Sequence, residues 1–219
     1  MLSVALGKAA AEPLRLLLLG AHADDIEIGC GGTVLELIRR YPRVSVHWVV
    51  LTSDSIRGDE AAGGASRFLE GAKEREVLIE AFRDGYLPYS GERVKDYFEA
   101  LKARVSPDLI FTHYRDDGHQ DHRLVCELTW NTFRTHLILE YEVPKYDPDI
   151  GSPNLFVHLD ESLAETKVRH VIEAYPSQAS RPWFTGDTMR AIMRLRGVEA
   201  RAATYAEAFY CRKLILAWP

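Results

Sequence analysis

The sequence predicts an α/β protein, a Rossmann-like three-layer sandwich around a mostly parallel sheet. Three observations predict it. The runs "RLLLLGA" (15–21) and "PDLIFTH" (107–113) are apolar without alternation, as strands buried on both faces are. Helical patterns alternate with such runs along most of the chain. The 219 residues, 47% hydrophobic and 27% charged, fit one domain with its own core, and no repeat, low-complexity segment or linker divides them. Residues 1–219 are therefore expected to form one domain.

The elements follow in order. The first residues place charges at Lys8, Glu12 and Arg15, the wrong arrangement for a signal peptide, so they read as a loose tail leading into the strand at 15–21. "GCGGTVLELIRRY" (29–41) reads as a helix ended by Pro42. "VSVHWVVLTSD" (44–54) is a second β-rich run. The glycine- and alanine-rich residues 55–66 read as a loop, and 67–82, "RFLEGAKEREVLIEAF", as a long helix. A helix at 93–105, the strand at 107–113 and a helix at 120–137 come next. Strands at 138–143 and 155–160, helices at 161–175 and 187–198, and a closing segment at 205–216 complete the chain.

Composition narrows the function. A net charge of −5 without a clustered basic surface argues against a nucleic-acid partner. No apolar run approaches the roughly 18 residues that span a bilayer, so no membrane partner is expected. Cys30, Cys126 and Cys211 are widely spaced with no C-x-x-C, which suits reduced thiols and a cytoplasmic location. A homo-oligomer is compatible with all of this.

Two turns carry the chemistry. In such sheets ligands lie beyond the carboxyl ends of the strands. The first strand runs into "GAHADDIEIGCGGT" (20–33), with His22, Asp24, Asp25 and Glu27 where many α/β proteins keep glycines for a phosphate. Carboxylates there suit a cation. The turn after the strand at 107–113 holds His113, Asp116, Asp117, His119, Asp121 and His122. Imidazole and carboxylate are zinc ligands, and a catalytic zinc keeps three protein ligands and an open position. Each turn alone could equally be explained by Asp capping the helix that follows. The pair together favours a metal site. His113, at the end of its strand, is expected behind the ligands; Gly29, Gly31 and Gly32 are expected to let the helix start pack closely.

These residues resemble the LmbE-like (PIG-L) family of zinc-dependent N-deacetylases. The family pattern of His-Pro-Asp-Asp, a Gly-Cys-Gly-Gly-Thr helix start and a downstream His-x-Asp-His reads here as "HADD" (22–25), "GCGGT" (29–33) and "HQDH" (119–122). "YPSQ" (175–178) and "YAEAF" (205–209) look like later landmarks, so the resemblance covers nearly the whole chain. Ala23 departs from the usual proline and Ile26 from a frequent glutamate. The resemblance implies that His22, Asp25 and His122 bind Zn2+, with Fe2+ or Co2+ also accommodated by such donors. It implies Asp24 as general base, His119 as the stabiliser of developing charge, and Asp121 as the partner that orients His119.

That division suits amide hydrolysis. Zinc polarises the carbonyl and activates water, a carboxylate outside the ligand set takes the water's proton, and a histidine meets the oxyanion. The implied function is removal of an N-acetyl group from an N-acetylglucosamine-type amino sugar or conjugate, a small-molecule substrate. Arg57, Tyr114, Arg115 and Asp117 are candidate substrate contacts, and Tyr175, Arg181, Trp183 and Phe184 are candidates to stack on a sugar or grip it. The competing reading is a nucleotide-binding oxidoreductase or transferase, with Asp54 on a ribose; the first turn lacks its G-x-G-x-x-G fingerprint. A non-catalytic binding module is the third reading.

Overall fold

A computed structural model describes residues 3–8, 12–201 and 204–216; parts of the expected N-terminal tail, and the last three residues, lie outside them. The elements are β1 (Leu14–Gly20), α1 (Asp25–Arg40), β2 (Val44–Thr52), α2 (Ser55–Phe68), β3 (Glu74–Phe82), α3 (Gly91–Arg104), β4 (Leu109–His113), α4 (Gln120–Thr132), β5 (Leu137–Tyr141), β6 (Leu155–Leu159), α5 (Glu161–Ala174), α6 (Gly186–Ala200) and β7 (Tyr205–Cys211). Short 3-10 turns cover Leu87–Ser90 and Pro176–Gln178.

Among the described residues, seven strands form one sheet in the order β3-β2-β1-β4-β5-β7-β6. The first five run parallel, and β7 runs antiparallel to both of its neighbours. The expected mostly parallel α/β sandwich is the observed fold.

Alternation along β1 shows how the layers form, since successive side chains leave a strand on opposite faces. Leu14, Leu16 and Leu18 pack with Val34 of α1, Phe68 of α2, Val168 of α5 and Met193 of α6. Leu17 and Leu19 pack on the other face with Phe98 of α3 and Val125 of α4. The chain turns outward from β1 in both directions, so the β1–β4 pair is the point where strand order reverses. A crevice opens there at the carboxyl ends.

Residues 55–82 depart from expectation. Residues 55–66 form most of α2 rather than a loop, capped by Asp54, whose Oδ1 accepts the Arg57 N–H at 2.8 Å. Gly64 is there for space: a Cβ would sit 2.5 Å from Glu27 Oε1 and 2.7 Å from the Tyr175 hydroxyl. The expected helix at 67–82 stops at Phe68, turns through Gly71 at φ 89°, and becomes β3. Helix-forming Glu and Ala are overridden by parallel pairing of β3 with β2, which places Val77 and Ile79 against the core. Helix α1 begins at Asp25, four residues earlier than expected, so the acidic turn is its first turn.

Candidate metal and active site

The two loaded turns meet at the strand-order reversal. The backbone N–H of Ala21, just past β1, donates to His113 Nε2 at the end of β4, over 2.9 Å. This bond uses the Nε2 lone pair, so His113 braces the two turns from behind; it stacks on His122 with ring centroids 3.8 Å apart. Burial, and then the nearby His122, lower its pKa to about 4, so it is neutral.

His22, Asp25 and His122 face one another. His22 Nδ1 lies 3.1 Å from His122 Nε2 and 3.3 Å from Asp25 Oδ2, and Asp25 Oδ1 lies 3.4 Å from His122 Nε2. The edge of a tetrahedron with ligand bonds of about 2.0–2.1 Å is about 3.3 Å, which the pairwise distances match, with Asp25 turning a different oxygen to each histidine; the same cluster also groups His22 with His119 and His122, Asp25 with His113 and His122, and His22 with Asp84 and Asp121 as donors close enough to share an ion. Charge agrees. Burial disfavours a protonated His22, yet Asp25 and then Asp121 raise its pKa well above the usual value: the surroundings favour positive charge at this point. Asp25 is fully buried, which opposes ionisation, but the neighbouring His122 holds its pKa well below the ordinary range. Its place in the first turn of α1 also favours negative charge.

Further side chains fix these donors. Asp117 is buried, with Oδ2 2.9 Å from His122 Nδ1 and Oδ1 3.0 Å from Lys145 Nζ. A proton on His122 Nδ1, shared with Asp117, leaves the Nε2 lone pair for the cation. The Asp121 carboxylate, expected to orient the His119 ring, makes no hydrogen bond to it. That carboxylate accepts the N–H groups of Gly85 and Leu87 at 2.8 and 3.1 Å and lies 3.3 Å from His22 Nε2. His119 is instead held by the backbone: its Nδ1 accepts the Asp121 N–H at 3.2 Å. That bond puts the ring proton on Nε2. Burial, His122 and His22 all lower the His119 pKa, which favours the neutral ring.

Asp24 adopts a left-handed conformation, φ 95° and ψ −22°, and its side chain caps no helix amide. The capping explanation of this residue therefore fails. Strained backbone of this kind gathers at functional sites. Burial raises the Asp24 pKa to about 7, against the pull of Arg57, whose guanidinium nitrogen lies 3.1 Å from Asp24 Oδ2. Arg57 also donates to the Ala23 carbonyl, to Glu60 and to Ser177.

A cleft of about 730 Å³ opens above this cluster, lined by Asp24, His119 and Arg57 among others. Of the expected substrate contacts, Arg57, Arg181 and Trp183 line it, whereas Tyr114, Arg115, Asp117, Tyr175 and Phe184 do not. Tyr114 stacks on Tyr210, and Arg115 lies over Trp130. Tyr175 is buried with its hydroxyl on Glu27, and Phe184 is core. Asp54, the residue a ribose would need, caps α2 through Oδ1 and also lines the cleft. Asp84, with Oδ1 3.0 Å from His22 Nε2, and Lys145 escape sequence reading. Asp84 follows the segment expected to be helical, and neither residue sits in a motif.

Fold and site together define a Rossmann-like scaffold with a buried His/Asp cluster at its switch point and the Arg57-paired carboxylate of Asp24 beside it. The profile of the PIG-L, GlcNAc-PI de-N-acetylase, family matches residues 17–133, more than half of the chain, and the chain belongs to that family. Deacetylation is the activity that membership supports. The chain is 27% identical over 157 residues to the uncharacterized deacetylase YaiS of Escherichia coli K12, covering 66% of this chain and 82% of that one. The conserved protein TT1542 of Thermus thermophilus shares the fold at a TM-score of 0.75 and 24% identity, over 94% of this chain and 98% of its own. The N,N'-diacetylchitobiose deacetylase of Pyrococcus horikoshii superposes at 0.67 with 25% identity, over 89% of this chain and 82% of its own.

Proposed function

We propose that the protein is a metal-dependent N-deacetylase of an N-acetylglucosamine-type amino sugar or conjugate. The observation that carries this reading is a single cluster: His22 Nδ1 and His122 Nε2 are 3.1 Å apart, the two oxygens of Asp25 lie 3.3 and 3.4 Å from them, and Asp24 stands beside them in the cleft. In this reading those three residues hold Zn2+, or Fe2+ or Co2+, which when bound supplies Lewis acidity to the amide carbonyl and to the attacking water.

The remaining steps belong to the chain. Asp24 accepts a proton from the attacking water; a pKa of about 7 suits a group that must take a proton and give it back near neutrality. Arg57 holds that carboxylate in place. The His119 Nε2–H donates to the carbonyl oxygen as negative charge develops, and the Asp121 amide on Nδ1 keeps that tautomer. The C–N bond then breaks, Asp24 passes its proton to the departing nitrogen, and acetate and the free amine leave. Trp183 and Arg181 offer an aromatic face and a cation to the sugar. The P. horikoshii relative's stated substrate, a diacetylated chitobiose, supports an amino-sugar substrate class for this chain.

Acetate release from a panel of N-acetylglucosamine conjugates, with and without chelator, tests the proposal. Chelator-sensitive release that returns with Zn2+ is the expected result. Release that persists in chelator, or none from the panel with Zn2+ restored, would refute it.

A further inference from the structure

The "GCGGT" stretch of α1 and the "YAEAF" stretch of β7 play no part in the chemistry above, yet they meet. Glu207, buried on β7, reaches the middle of α1. Its Oε1 accepts the Gly32 N–H at 2.8 Å and its Oε2 the Thr33 N–H at 2.6 Å. Lys167 on α5, 2% exposed, donates to Glu207 Oε1 at 2.5 Å and to the Ile28 carbonyl at 2.6 Å. The Ile28 carbonyl is the regular helical acceptor for the Gly32 N–H. Both members of that helical pair thus have side-chain partners.

A carboxylate on successive amides is the arrangement of a helix start, but this one sits well inside α1. A side chain inserted into the helical ladder is a recognised cause of a bend. Gly32 gives it room: a Cβ there would lie 3.0 Å from Glu207 Oε1 and 2.6 Å from Leu159 Cδ1. A buried ion pair is a weak source of net stability, because desolvation offsets its attraction. Fixed geometry is what this pair supplies. The segment on the site side of the wedge, Asp25–Gly31, carries Asp25 and directly follows Asp24.

We propose that Glu207, held by Lys167, is a positioning residue that sets where the first turn of α1, and with it Asp24 and Asp25, stands against His22 and His122. Its consequences for metal and turnover rest on the deacetylase reading; its consequence for backbone order does not.

Glu207→Gln keeps the volume but replaces one acceptor oxygen with a donor, so only one of the two amides is satisfied. Lys167→Met/Glu207→Gln removes both charges together and is the safer variant for folding. For each, amide hydrogen exchange is read across the chain, together with Co2+ affinity, kcat and KM. The expected result is exchange about ten-fold faster at residues 24–28 with α3 and β2 unchanged. Co2+ affinity should weaken about ten-fold, and kcat should fall by a similar factor with KM held within about two-fold. Exchange at 24–28 equal to wild type, or faster evenly along the chain, would overturn the proposal and leave the pair a core staple. If the wild type itself binds no Co2+ and releases no acetate, the deacetylase reading falls, and exchange at 24–28 still decides the wedge.

Discussion

Replacing Asp117 with asparagine tests the most specific contact in the cluster. The carboxylate bridges two donors, with Oδ2 2.9 Å from His122 Nδ1 and Oδ1 3.0 Å from Lys145 Nζ. It also accepts the His119 N–H at 2.7 Å through Oδ1. Asparagine has one oxygen and one NH2 group. Pointing the NH2 at Lys145 sets donor against donor and abandons the His119 amide. Pointing it at His122 drives the ring toward the tautomer with its proton on Nε2, the nitrogen proposed for the metal. Either choice loses an oriented contact inside a residue only 2% exposed, where water gives no relief. Losing such a partner of a metal-bound histidine costs about ten- to a hundred-fold in affinity, or about 1.4–2.7 kcal/mol. Competition against a chelator with Zn2+ or Co2+, on protein whose fold is checked by circular dichroism, gives the number. An affinity within about two-fold of wild type would refute the orienting role and with it the assignment of His122 Nε2.

Other outcomes follow from the same contacts. Asp24→Ala should keep its metal and lose about 10²–10⁴ in kcat; retained turnover removes Asp24 as base. Gly29→Ala should lower Tm by several degrees, because the new Cβ would lie 2.1 Å from Tyr141 Cδ2. Tyr141 cannot swing aside: it is fully buried and its hydroxyl donates to the Leu19 carbonyl at 2.7 Å. An unchanged Tm would show that α1 and β5 have slack at this contact. Asp108 gives a pH dependence of stability. Partial burial pushes its pKa up, but hydrogen bonds from Arg15 and Lys8 prevail and hold it at about 2, below its ordinary 3.8. A depressed carboxyl pKa stabilises the fold above the ordinary value, and that share is lost as pH falls through about 2. With allowance for solvent screening near the surface it is about 1 kcal/mol. The stability gap between wild type and Asp108→Asn should therefore close between pH 4 and pH 2 in acid titrations, and a constant gap would remove the ion pair as its source.

Sequence carried the buried strands and the loaded turns because both are local signals. Leu16–Leu19 is apolar whichever face is considered, and only a strand covered on both sides uses such a run. The 55–82 region failed for the opposite reason. Gly63 and Gly64 look like loop residues until Glu27 and Tyr175, far away in the chain, are seen filling the space a side chain at Gly64 would need. In Glu74–Phe82 the choice between helix and strand is made by β2, which propensity does not register. The site divides the same way. Motif residues were legible, while the tasks of Asp117 and Asp121 depended on Lys145 and on the Gly85–Leu87 backbone, neither of which any spacing reveals. Tyr114 and Arg115 were adjacent in sequence to chemistry but turned to another face.

The neighbouring positions of β1 and β4 have a consequence for biosynthesis. Ala21 and His113 are hydrogen-bonded across 92 positions of chain, and β2 and β3 are laid down in the interval. A ribosome exposes the His22 turn long before the His122 turn exists. Until β4 slots in beside β1, any ion meeting the nascent chain finds one imidazole and a pair of carboxylates, a poor trap. On the proposed metal reading, tight capture therefore waits for the finished fold.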